Sequence, residues 1–95
     1  MNKVIENDCE QIIIEYENEL KKLLDKKILI TGGGGFLLSY FVKMLIIYNS
    51  KNKKKINITI IDKFLDKTNP NFQIFNSSKN VFILKKDVSL IKNFN

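Results

Sequence analysis

Apolar residues recur at helical spacing from Ile5 to Leu24, at Ile5, Cys9, Ile12, Ile13, Tyr16, Leu20, Leu23 and Leu24, with glutamates and lysines between them. That periodicity predicts an amphipathic helix, whose start Asp8 and Gln11 can frame as a capping box. The pattern then changes. Ile28-Leu29-Ile30-Thr31 is a short continuous apolar run ending at glycine, which predicts a strand buried on both faces of a parallel sheet. Phe36 to about Asn49 is apolar nearly all round and predicts a helix pressed between the sheet and another layer. Ile56 to Asp62 and Val81 to Lys85 predict a second and a third strand.

Between these elements lie polar connections. Asn49 to Lys55 reads as a lysine-rich loop, and Asp66 to Lys79 as a loop with room for a short helix near Phe72 to Phe75, because Asn69-Pro70-Asn71 and Asn76-Ser77-Ser78 are turn formers. Ser89 to Asn95 begins another helical pattern. Strand, helix and strand in this order make a right-handed βαβ unit, so the predicted class is α/β with a parallel sheet preceded by an amphipathic helix.

All four glycines, Gly32, Gly33, Gly34 and Gly35, fall in the connection between the first strand and the following helix. A pyrophosphate is held by such a turn because glycine admits close backbone approach. The amides and positive dipole end of the next helix, here at Phe36 and Leu37, stabilise the anion. The second strand ends in Asp62, where a ribose-binding acid belongs, and the third ends near Asp87 and Val88, on the sheet edge where ligands of open α/β sheets collect. Asp62 favours NAD over NADP by repelling a 2′-phosphate, whereas Lys63 beside it could pair with one. Asp87 could take the adenine amino group or serve as a turn or capping aspartate, and Thr31 could donate from the strand end or be an ordinary strand threonine. A FAD or S-adenosylmethionine site can also use a glycine turn and a strand-end acid.

Ile28 to Ser39 resembles the T-G-x-x-G-x-x-G opening of the extended short-chain dehydrogenases/reductases, the family of nucleotide-sugar epimerases and dehydratases. Thr31, Gly32, Gly33, Gly35, Phe36, Ser39, Asp62, Asp87 and Val88 match that family's pattern, and the resemblance covers about Lys27 to Val88. It implies a Rossmann-type parallel sheet, an NAD cofactor and a nucleotide-sugar substrate handled by regions beyond this chain. On this reading residues 1–26 are an N-terminal helical extension, similar to that of some surface-polysaccharide members. Residues 27–95 are the first, incomplete part of the NAD(P)-binding domain.

Two departures qualify the resemblance. Leu38 replaces the third glycine of the motif, which lets helix and strand pack closely. The family's catalytic Tyr-x-x-x-Lys is missing: Tyr40 with Lys43, and Tyr48 with Lys51, have one residue too few between them, so no catalytic residue is assigned. A non-catalytic or degenerate nucleotide-binding module is therefore the competing reading.

Composition narrows the alternatives. The chain has 95 residues and a net charge of +6, carried by lysines with no arginine, so a nucleic-acid binder is the minor reading. The run Lys51, Lys53, Lys54 and Lys55 reads as a solvated loop before it reads as a phosphate contact. A single cysteine, Cys9, excludes an internal disulfide and a multi-cysteine metal cage and suits a reducing cytoplasm. The longest apolar stretch falls short of the roughly 20 residues that span a membrane. The apolar face of the leading helix must be covered by something, a role for the regions beyond this chain, and a homodimer is a further possible partner.

Overall fold

The computed structural model describes residues 3–32, 36–62 and 68–84. Along them run α1 (Lys3–Glu15), α2 (Glu17–Lys21), β1 (Lys27–Thr31), α3 (Phe36–Ser50), β2 (Asn57–Ile61), α4 (Phe72–Asn76) and β3 (Val81–Leu84). The three strands form one parallel sheet in the order β1-β2-β3, as the βαβ pattern predicts.

Register explains the core. Ile28 and Ile30 pair with Ile58 and Ile60, which pair in turn with Val81 and Ile83, so one face of the sheet is a block of β-branched side chains. Ile58 and Ile60 on the central strand are fully buried. The same cluster takes in Val42, Leu45 and Tyr48 of α3 and Phe75 of α4. Burying side chains of this size is worth about 1.5–3 kcal/mol each, which makes this face the main source of stability.

The opposite face differs from the prediction. β1 is buried on one face only: Leu29 is 45% exposed, and in its row across the sheet Phe82 is 56% exposed. The reason is that α3 and α4 both join the cluster on the Ile28 and Ile30 side, leaving the Leu29 row little cover among the described residues.

The leading segment also differs, forming two helices in place of one. Tyr16 leaves the helical region at φ −110 and ψ 24, although its amide still donates to the Ile12 carbonyl at 2.9 Å. The bend keeps Cys9 and Ile13 of α1 and Leu20 of α2 in the same buried cluster as the sheet. α1 packs on α3, where the Tyr40 hydroxyl donates to Asp8 Oδ2 at 3.0 Å. The N-terminal helices are therefore an outer layer of the same core. After α2 the chain turns at Asp25, whose φ of 65 is left-handed, and its amide donates to the Lys55 carbonyl at 2.8 Å. The short helix α4 occupies the room left near Phe72 to Phe75, and β3 matches the third predicted strand over its described part. Lys85 and the helical pattern from Ser89 to Asn95 lie outside the described residues.

Candidate functional site

The carboxyl edge of the sheet gathers the candidate residues that the structure describes. Thr31 closes the β1 ladder opposite Ile61 and is exposed. Gly32 follows with φ +72, a conformation in which a Cβ would be strained, so glycine is favoured here where the chain leaves the strand. Its amide donates to the Ile61 carbonyl at 3.1 Å. That N–H is therefore spent on the sheet, and any phosphate donors must come from later in the turn or from the first turn of α3.

α3 is long enough to carry a full helix dipole, its first-turn amides have no intrahelical acceptor, and no acidic side chain lies in that turn to compete with an anion. Leu37 in this turn is 78% exposed. Asp62 follows Ile61 directly, so it stands beside Gly32 on the neighbouring strand; its amide donates to the Leu84 carbonyl at 3.1 Å, and its side chain is half-buried and engaged. Ser39, another match to the motif, is buried one turn into α3 and also engaged. The structure thus brings Gly32, the start of α3 and Asp62 to one edge. Gly33, Gly34, Gly35, Lys63, Asp87 and Val88 lie outside the described residues.

The sequence marks Leu38 as a departure without indicating where its side chain goes. A methyl group built on Gly32 would lie 3.7 Å from Leu38 Cδ1, so the isobutyl group reaches back toward Gly32. The lean of helical side chains toward the helix N-terminus is the signal that would have located it.

Three lysines of the run, Lys51, Lys54 and Lys55, make contacts within the protein. Lys51 pairs with Glu10 at 3.4 Å and Lys54 with Asp25 at 3.7 Å. The Lys55 ammonium donates to the Asn49 and Asn52 carbonyls, neutralising the negative end of α3. Asn49, missed in the sequence, is buried at that end and bonds both backbone groups of Ile56. A cleft of 230 Å³ at this amino-terminal edge of the sheet includes Asn49, Lys55 and Asn80 in its wall; all three side chains are already bonded within the protein.

Cys9 is buried among apolar neighbours; burial, and next the adjacent Asp8, push its thiol up from the ordinary 9.0, against the opposing pull of Lys43. That is an unreactive environment for a thiol. Among the described residues no group of three or more His, Cys, Asp or Glu is placed to hold a metal ion, and no helix is long and apolar enough to cross a membrane. No protein-family model matches the chain, and no curated protein or solved structure matches it either.

Proposed function

We propose that this chain is the cofactor-binding portion of an NAD-dependent nucleotide-sugar epimerase or dehydratase. The observation that carries the reading is the left-handed Gly32 at the end of β1, leading toward an acid-free helix start with Asp62 beside it on the next strand. A pyrophosphate needs such a turn and helix start, and a ribose needs a carboxylate beside them. When bound, NAD would supply reversible hydride transfer from and to a sugar carbon. The residues of this chain would hold and orient it: the turn and the α3 amides on the pyrophosphate, Asp62 on the adenosine ribose hydroxyls. The catalytic pair, absent from this sequence, would come from residues beyond it, and so would the sugar site.

The second reading, a nucleotide-binding module without catalysis, is favoured by the leucine that stands where the motif has its third glycine, with its Cδ1 3.7 Å from where a Gly32 Cβ would be. Calorimetric titration of the chain with NAD, NADP and adenosine tests the shared premise. The proposal expects NAD to bind more tightly than NADP and adenosine to bind weakly. Failure of all three to bind removes both readings.

A further inference from the structure

We propose that the groove between α1 and α3 is a docking site for a cationic amphipathic helix of a partner protein. Ile12 of α1 and Leu37, Tyr40, Phe41 and Met44 of α3 line this groove, whose volume is 370 Å³. The four α3 residues stand at i, i+3, i+4 and i+7, so they form one stripe along the helix. The stripe is open at its start: Leu37 is 78% exposed and Phe41 39%, whereas Met44 at its far end is buried.

The lining decides what kind of occupant fits. A small-molecule site needs a few polar groups that converge on the ligand and orient it. Here the only polar side-chain group is the Tyr40 hydroxyl, which donates to Asp8 Oδ2 at 3.0 Å and is thereby spent. An apolar stripe of this spacing is instead what a second helix recognises, by laying its own apolar face into the groove. Met44, flexible and polarisable, can adjust to such anchors.

Charge selects among such helices. Asp8 and Glu15 lie four residues before and three after Ile12 on α1, so both share the face of α1 that borders the groove, and both are exposed. The Tyr40 bond places Asp8 directly at the rim. The one charged residue of α3, Lys43, is one residue from Met44 and two from Phe41, spacings that do not share a helix face, and it lies within electrostatic reach of Cys9. The groove is therefore bordered on its α1 side by carboxylates, in a chain whose net charge is +6. General attraction to such a chain favours an anionic partner, so a preference for lysine or arginine beside apolar anchors has to come from this rim. The proposal does not rest on the dinucleotide reading, since it uses side chains of α1 and α3 and not the turn after β1.

The test measures, by fluorescence anisotropy, the binding of two labelled peptides patterned as amphipathic helices of about 14 residues, or about four turns, one of leucine and lysine and one of leucine and glutamate. The unaltered chain should bind the lysine peptide and leave the glutamate peptide free. Leu37→Ser should weaken binding of the lysine peptide by roughly tenfold, the affinity equivalent of one lost leucine anchor, and Glu15→Lys by roughly threefold, that of an exposed charge pair. Circular dichroism melts establish that both variants fold; Glu15→Lys, at the exposed end of α1, keeps the test decisive if Leu37→Ser loosens α3. Binding of the glutamate peptide as tightly as the lysine peptide overturns the proposal, as does binding of neither, or an affinity that either folded variant leaves unchanged. Sedimentation equilibrium of the chain without peptide should show a monomer. A dimer that Leu37→Ser dissociates would give the groove to a second copy of this chain and overturn the proposal as well.

Discussion

Gly32 and Asp62 leave neighbouring parallel strands at the same level, each one residue beyond the Thr31 and Ile61 pair, and the Gly32 amide donates to the Ile61 carbonyl at 3.1 Å. The turn is thus tied to the strand that carries the acid, and what holds Gly32 in place also sets its distance from Asp62.

Replacing Gly32 isolates the backbone requirement. A Cβ at this position meets Leu38 Cδ1 at an ordinary contact distance of 3.7 Å, so the penalty comes from φ +72 and not from collision. Gly32→Ala is expected to cost about 1–2 kcal/mol in urea unfolding followed by circular dichroism. Gly32→Asn should cost less, since asparagine enters the left-handed region more readily. Equal losses for the two variants would show that space, not backbone conformation, selects glycine.

Asp62 is the residue whose replacement separates a cofactor acid from a strand-end aspartate. Losing a charged hydrogen-bond partner costs about 1.5–3 kcal/mol, so Asp62→Ala should weaken NAD binding by roughly 10- to 150-fold. Asp62→Asn removes the repulsion of a 2′-phosphate, and the preference for NAD over NADP should narrow. Titration with both cofactors reads both effects. An unchanged NAD affinity in Asp62→Ala would leave Asp62 as a surface residue.

How much of this could be read from the sequence depends on whether the signal is local. β1, α3 and β2 follow from continuous apolar runs and from glycine as punctuation, and their observed bounds differ from the predicted ones by a residue or so. The bend at Tyr16 was not legible, because Ile12, Ile13, Tyr16 and Leu20 keep helical spacing across it and two backbone hydrogen bonds continue through it. Burial of β1 on one face only was equally hidden. Ile28, Leu29 and Ile30 are all apolar, and only the placement of α3 and α4 decides which of them is covered. At the site, residue types announced Gly32 and Asp62, but the reach of Leu38 back to Gly32 is a distance that no spacing rule contains.

Asn49 joins the end of α3 to the start of β2. Its side-chain amide donates to the Ile56 carbonyl at 2.9 Å while its oxygen accepts from the Ile56 amide at 2.8 Å, so one residue satisfies both backbone groups of a fully buried position. Asn49→Leu puts an apolar side chain of similar size in its place and strands that donor and acceptor. Each unsatisfied buried group costs about 1–3 kcal/mol, so with two stranded a loss of about 2–6 kcal/mol is expected in chemical unfolding. Asn49→Asp can still accept from the Ile56 amide but sets an oxygen against the Ile56 carbonyl, and should be destabilised as well. A loss below about 1 kcal/mol in Asn49→Leu would mean that water replaces the clasp.

Cys9 gives the fold a pH dependence whose sign follows from its burial between α1 and α3. Burial first, and Asp8 second, raise the thiol above its ordinary 9.0, so the folded protein keeps this proton at a pH where the unfolded chain has begun to lose it. Below 9.0 both states are protonated and Cys9 adds no pH dependence. As pH rises past 9.0 the unfolded state binds fewer protons than the folded one, and stability falls until the raised folded value is passed. Tyr40 and Tyr48 are raised in the same direction from 10.0, for the same leading reason, so the interval between 9.0 and 10.0 reports chiefly on Cys9. The slope contributed by one such group cannot exceed about 1.4 kcal/mol per pH unit. Urea midpoints measured across that interval should fall for the unaltered chain and stay nearly level for Cys9→Ser, whose hydroxyl does not ionise there. Parallel declines would place the alkaline sensitivity elsewhere. A thiol reagent offers an independent check: with Cys9 fully buried, labelling at neutral pH should proceed only as fast as α1 lifts from α3, and should accelerate with urea well before the sheet unfolds.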